Sequence, residues 1–282
     1  MRRKQIRIDL HIHSDRSDGE IRPGDVVRRA HAVGLDTIAL TDHDSIGGLA
    51  EAERAGRELG VRIIPGVEMT ATLDTREIHL LAYFPTLPAA DDRSEGSLAR
   101  ALEEVQAARR RRLRDGIKAL RLRGVLLRES DVLSGGCESF TRLHLARALL
   151  NAGYVRKIDE AFTRFLGDRF GTVPAMDIQP EQVIDLIHAH GGLAVWAHPD
   201  PEAFSTCLDR LVRAGLDGVE THNFRRPDTV GQFTAAVRER GLLATGGSDW
   251  HGGPQERTLG SHAIDNDLFQ PFYRALIGRG TA

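Results

Sequence analysis

One arrangement of hydrophobic and polar positions recurs along the chain: an amphipathic helical stretch, a glycine, a short apolar run and a polar cluster. It runs from Gly34 to Asp44 and from Gly60 to Glu68, and again from Gly192 to Pro199, Gly215 to His222 and Gly241 to His251. Each glycine suits the left-handed position that ends a helix, and each apolar run is short and unalternating, as in strands buried on both faces. Helices alternating with such strands predict a parallel sheet. Adding strands near Ile6 to His11 and Glu77 to Phe84 brings the total to about seven. Nearly every strand ends in His, Asp or Glu. An open sheet gathers functional groups at one crevice, whereas a barrel collects them from several strand ends, so an α/β barrel is expected.

The pattern breaks between Asp91 and Asp177, where roughly ninety residues stand in place of a connection of about 2 to 6. Residues 91–176 are therefore expected to be a helical insertion, with 1–90 and 177–282 forming the barrel. Ala99 to Leu122 has helical spacing, with Leu102, Val105, Leu113, Ile117 and Leu120 on one side. Further helices are predicted over Arg142 to Ala152 and near Lys157 to Phe165, and Pro88, Gly96 and Pro174 mark the joints. Nine basic residues between Arg109 and Arg128 face a single acidic one, Asp115. A solvated helix face is the expected reading of such a run. The sharper reading is a basic wall that attracts a phosphorylated or oligonucleotide substrate.

Composition narrows the partners. With 41% hydrophobic and 28% charged residues the 282-residue chain falls in the soluble globular class. A formal charge of -2 means that an anionic partner must be recognised locally. Cys137 and Cys207 stand far apart, which argues against a disulfide scaffold or a thiolate metal site and suits a reducing cytosol. No apolar run has the length of a bilayer span, and Met1-Arg2-Arg3-Lys4 leads directly into the first strand, so a cytoplasmic protein without membrane association is expected.

The chemistry lies at the strand ends. Side chains two apart on a strand share a face, so His11 and His13 present both imidazoles in one direction. Asp18 follows on the next loop, and later strands add His43, Glu68, His79, His198, Asp249 and His251. Nitrogen and carboxylate donors without thiolate suit zinc, manganese or iron better than calcium. Nine such groups exceed one ion and suffice for two or three that share a bridging carboxylate. Asp42 and Asp44 flank a ligand and are expected to orient it. Glu220 is either an acceptor behind a ligand or a salt-bridge partner. His188 and His190 end a helix, where imidazoles commonly meet carbonyls.

His11-Ile12-His13 with Asp18-Gly19, Thr41-Asp42-His43-Asp44, Gly66-Val67-Glu68, Ala197-His198-Pro199 and Gly247-Ser248-Asp249-Trp250-His251 occur in order over nearly the whole chain. Together they resemble the PHP (polymerase and histidinol phosphatase) family of metal-dependent phosphoesterases. The resemblance implies a distorted barrel of seven βα units and three neighbouring metals. His11, His13, Glu68 and Asp249 would hold the first. Glu68 would bridge to a second held by His79 and His198, and Asp18, His43 and His251 would hold a third.

Within the insertion, Thr141-Arg142-Leu143-His144 through Leu149, followed by Phe165 to Asp168 and Val173-Pro174, resembles the helical insert of TrpH-like PHP proteins. Members of that group hydrolyse nucleoside 3',5'-bisphosphates or short RNA from the 5' end. Thr141 and Leu143 replace the glycine and proline of the usual Gly-Arg-Pro-His, and Asp200 stands where glycine commonly follows His-Pro. The implied reaction is attack on phosphorus by a hydroxide bridging the metals, with Arg142 and His144 holding a phosphate. His222, at a strand end, is a candidate general acid, and its plain alternative is a hydrogen-bonded rim histidine. Rival expectations are a phosphatase of a sugar phosphate or histidinol phosphate, a hydrolase of a cyclic phosphodiester, and a non-enzymatic metal-stabilised module. The intact ligand set argues against the last, and no obligate protein partner is expected.

Overall fold

The short apolar runs after helix-ending glycines become strands of one sheet in the computed structural model, which describes residues 6–74, 76–223, 227–253 and 258–280. The expected entry from Met1 to Lys4 into the first strand lies outside the described residues. The chain begins with β1 (Ile8–Ile12), α1 (Pro23–Ala32), β2 (Thr37–Leu40), α2 (Leu49–Leu59), β3 (Arg62–Leu73) and β4 (Arg76–Tyr83). Then come α3 (Leu98–Leu122), α4 (Glu129–Val132), α5 (Arg142–Asn151) and α6 (Ile158–Ala161), which continues into a π-helical turn at Phe162–Leu166. The chain returns through α7 (Pro180–Ala189), β5 (Leu193–Trp196), α8 (Pro201–Arg213), β6 (Gly218–Asn223), α9 (Val230–Glu239), β7 (Leu243–Gly247) and α10 (Asn266–Arg279).

The strands lie side by side in chain order, β1 to β7, as a nearly closed barrel. Closure is made beyond β7, where the backbone of Ile12 pairs with Trp250 and His13 N–H donates to the Trp250 carbonyl at 2.9 Å. Gly247 permits this approach, because a Cβ there would stand 2.5 Å from His11 Cβ.

The all-parallel expectation fails at one strand. β4 runs antiparallel to both β3 and β5, while the other neighbours are parallel. The reason is the connection. Leu73 pairs with Arg76 around a turn in which Asp74 adopts a left-handed φ of 56°, and so short a link joins only antiparallel strands. His79 consequently enters the barrel from mid-strand, opposite Thr70, and not from a strand's C-terminal end.

Alternation on β4 separates two layers. Leu80 and Ala82 pack with Val67, Ile184 and Phe233 beneath the helices, whereas Leu81 and Tyr83 pack with Val195, Phe269 and Phe272. The insertion has its own apolar cluster, in which Leu113, Ile117 and Leu120 meet Phe140, Leu145, Leu149 and Leu166. Helix α3 belongs to both bodies, since Leu98, Ala99 and Leu102 lie in the barrel cluster. Ser97 caps its start by accepting from Arg100 N–H. Among the described residues no helix is long and apolar enough to cross a membrane.

Candidate metal centre

The rim of the barrel gathers every predicted ligand. Eight of the nine form three overlapping groups: His11, His13, Glu68 and Asp249; His43, Glu68 and His79; and His13, Asp18, His43 and His251. The ninth, His198, places Nε2 3.0 Å from Glu68 Oε1. The first group is the set expected for the first metal. In the other two the structure adds a neighbour: His13 stands with Asp18, His43 and His251, and His43 stands with Glu68 and His79.

Glu68 is the hub. Its Oε2 lies 3.2 Å from His11 Nε2, 3.1 Å from His13 Nε2 and 3.2 Å from His43 Nδ1, and its Oε1 lies 2.8 Å from His79 Nδ1. The buried atoms His11 Nε2, both His13 ring nitrogens, His43 Nδ1, His79 Nδ1 and Glu68 Oε2 nevertheless lack hydrogen-bond geometry. Buried polar atoms without hydrogen bonds are costly, and here they converge on shared points, as metal ligands do. This arrangement fits divalent cations held by nitrogen and oxygen donors.

Charge points the same way. Burial pushes the Asp18 carboxyl up, but the imidazoles of His251 and His43 outweigh it and hold it well below the usual range. Glu68 behaves likewise, with burial opposed by His43, His79 and His11. Burial alone would make His13 and His79 weak bases, yet the surrounding carboxylates raise them to about 10 and about 9. His43 goes the other way, driven by burial, and falls well below its ordinary value. A cation at the centre would do the work of the protons that these carboxylates draw onto the imidazoles.

The far side of the ligands is equally ordered. Glu220, fully buried, meets His11 Nδ1 at 2.9 Å and accepts from His198 N–H at 2.7 Å, which leaves His11 Nε2 for the centre. Glu220 is thus an acceptor behind a ligand. Three ligand-region residues adopt left-handed backbone: Asp44 at φ 43°, His198 at 29° and Asp249 at 49°. Strain of about 1–3 kcal/mol each is typical of residues held in place by a functional site. His79, His198 and His251 keep 14–17% of their side chains exposed, and on that side the centre meets solvent.

Some expectations are corrected. Asp42 does not orient His43. It accepts from Ser14 N–H at 2.7 Å, Ser14 Oγ at 2.6 Å and Ser17 Oγ at 2.7 Å, and so shapes the loop that carries Asp18. Asp44 bonds Thr70 N–H and Oγ, each at 2.9 Å, and pairs with Arg109. His222 is absent from the converging groups. Its Nδ1 lies 2.8 Å from Thr221 Oγ1, burial lowers its pKa, and the charges it feels are Asp265 and His262, which is the rim-histidine alternative. His188 and His190 have structural partners, Asp217 and the Leu186 carbonyl.

The basic run of α3 is only partly a solvated face. Arg109 is 3% exposed and bonds Asp44 and Thr70, while Arg112, 8% exposed, pairs with Glu77 at 2.6 Å. Gln106 donates to the Asp44 carbonyl at 2.8 Å. From α5, Arg142 meets Glu77 at 3.2 Å, and Thr141 Oγ1 donates to Asp18 Oδ2 at 2.6 Å. The insertion thus reaches one predicted ligand, Asp18, and two carboxylates behind the ligands, Asp44 and Glu77. His144 spends Nδ1 on Thr141 N–H, and its Nε2 lies 3.6 Å from Cys137 Sγ. Both residues line a cavity of about 500 Å³, with Arg16 and Arg22. Burial, followed by the charge of Arg147, keeps the His144 imidazole below its ordinary pKa, against the pull of Asp18.

The PHP domain model matches residues 9–127. A 3',5'-nucleoside bisphosphate phosphatase of Chromobacterium violaceum is 30% identical over 286 residues, covering 96% of this chain and 97% of that protein. The 5'-3' exoribonuclease Rnm of Escherichia coli is 31% identical over 257 residues, or 86% of this chain and 84% of that one. A solved structure from Bifidobacterium adolescentis, named as a candidate metal-dependent phosphoesterase, superposes with a TM-score of 0.82 at 29% identity, over 96% of this chain and 98% of that chain. Converging ligands, barrel and near full-length relatives agree, and the chain belongs to the PHP-domain family of metal-dependent phosphoesterases.

Proposed function

We propose that this phosphoesterase acts on nucleotides, with nucleoside 3',5'-bisphosphates and short 5'-phosphorylated RNA as its substrates. The observation that carries the reading is the likeness to the bisphosphate phosphatase over 96% of the chain, insertion included. The ligands of this reading are His11, His13, Glu68 and Asp249 for one ion, His79 and His198 with Glu68 for a second, and Asp18, His43 and His251 for a third. Two or three ions of manganese, zinc or iron suit these donors. When bound, such ions neutralise phosphate charge and lower the pKa of water toward neutrality.

The chain's own groups do the rest. Glu220 and Asp42 hold the rings and loops of the centre in place before substrate arrives. The insertion, residues 91–176, serves as a substrate-recognition cap. Arg142, at the first turn of α5 and 22% exposed, is the phosphate-binding arginine. His144 contributes a neutral imidazole to the wall of the cavity, where the rest of a nucleotide has room. A reducing cytoplasm suits the two free cysteines, Cys137 and Cys207.

Turnover of adenosine 3',5'-bisphosphate, 5'-phosphorylated short RNA, histidinol phosphate, an aryl phosphate and a cyclic ribose phosphodiester tests the reading. The first two are expected to be preferred. The last is included because a phosphoribosyl 1,2-cyclic phosphate 1,2-diphosphodiesterase of Eggerthella lenta is 30% identical over 86% of this chain. No turnover of either nucleotide by metal-loaded protein refutes the proposal. Arg142→Ala is expected to raise KM for the bisphosphate about 10- to 100-fold, the worth of one hydrogen-bonded charge on phosphate, as measured by steady-state kinetics.

A further inference from the structure

Glu77 is a buried carboxylate beside the centre that has no place among the ligands. It precedes His79 by two positions on β4, so both side chains face the same way. Glu77 Oε1 lies 3.5 Å from His79 Nε2, while His79 Nδ1 lies 2.8 Å from Glu68 Oε1. On its other side Glu77 meets the insertion, with Arg112 2.6 Å from Oε2 and Arg142 3.2 Å from Oε1. Glu77 and Arg112 are each 8% exposed, so this charge contact is made largely out of water.

A neutral imidazole has one N–H and one lone pair. If Nε2–H is directed at Glu77, the lone pair at Nδ1 faces Glu68, where an ion is expected. The other tautomer would put a proton in the ligand position. A carboxylate so near the centre is also a potential ligand, and two guanidiniums lie against its oxygens.

We propose that Glu77 is a positioning residue for the metal centre: it fixes the ring and tautomer of His79, and Arg112 and Arg142 in turn fix Glu77. Seating of the insertion thereby sets how tightly the position between Glu68 and His79 holds its ion. The inference rests on the ligand set proposed above. Its readouts are taken without substrate, so a wrong substrate assignment leaves it standing.

The test uses the full chain, metal-loaded and cobalt-reconstituted. Glu77→Gln is expected to weaken one class of bound ion about 10- to 100-fold, as changes behind a metal ligand commonly do, measured by competition with a graded chelator. The visible absorption bands of the cobalt protein shift with it, while circular dichroism stays unchanged. Arg112→Met gives the same change at smaller size, and Arg112→Lys restores part of it. Unaltered affinity and spectrum in folded Glu77→Gln overturns the proposal. A change at Glu77 without one at Arg112 overturns the link to the insertion. If Glu77→Gln does not fold, Arg112→Lys, which keeps the charge, decides by the same two measurements.

Discussion

The barrel rim and the inserted helices carry charge in opposite ways. At the rim, carboxylates and imidazoles crowd around Glu68, and most of the atoms facing one another there lack hydrogen-bond geometry, in an arrangement that a cation would complete. In the insertion, each buried guanidinium faces one carboxylate: Arg109 bonds Asp44, and Arg112 lies 2.6 Å from Glu77, although that contact lacks hydrogen-bond geometry. The rim is built to bind, and the inner face of α3 is built to stay closed on it. Buried charge by itself therefore does not mark a ligand site; several buried donor atoms converging on one point do.

Breaking the rim has the largest expected effect. Glu68→Gln removes the carboxylate charge that faces five imidazoles, and phosphoesterase activity is expected to fall by more than about 10³-fold, with metal content reduced in elemental analysis. Breaking the insertion's closed pair acts on stability instead. Arg109→Met leaves Asp44 buried without its cation and is expected to cost about 3–5 kcal/mol in urea unfolding of the metal-loaded protein.

A smaller effect separates the regions by pH. In metal-free protein His79 and His13 sit at about 9 and about 10, above the ordinary imidazole value of about 6.5. A raised folded-state pKa contributes stability that is complete below about pH 6.5 and is lost as pH rises through 9 to 10. The Tm of metal-free protein is thus expected to fall over that window, whereas metal replaces those protons and flattens the curve. Loading at neutral pH should release protons, detectable with an indicator dye. The arginine pairs of the insertion do not titrate there, so the difference belongs to the rim. The smallest effect is the control: Arg114→Ala, which breaks an exposed pair with Glu129, should change unfolding free energy by no more than about 0.5 kcal/mol.

These differences explain what could be read from the chain beforehand. Strand spacing made His11 and His13 legible as a pair, and the resemblance to the PHP family supplied Glu68 and Asp249 as their partners. The antiparallel course of β4 was less visible, because the turn at Asp74 carries no glycine or proline to announce it. Arg109 and Arg112 were read as part of a solvated face because a helix does not declare what lies opposite it. Their partners, Asp44 and Glu77, are 65 and 35 positions upstream and meet them only once the insertion docks. Glu77 had a usable signal in its two-residue spacing from His79, the same rule that singled out His11 and His13. The direction of His222 was not legible, because its strand carries an irregularity between Glu220 and His222, which disturbs the alternation that a strand-end count assumes.

Helix α3 has a consequence for engineering. Because one uninterrupted helix supplies Leu98 and Leu102 to the barrel and Leu113 and Leu120 to the insertion, the two bodies share a rigid axle. Any graft that exchanges the cap between related enzymes must cut before Leu98, since a splice at the apparent boundary of function, near Arg109, would sever a supporting beam and not a tether.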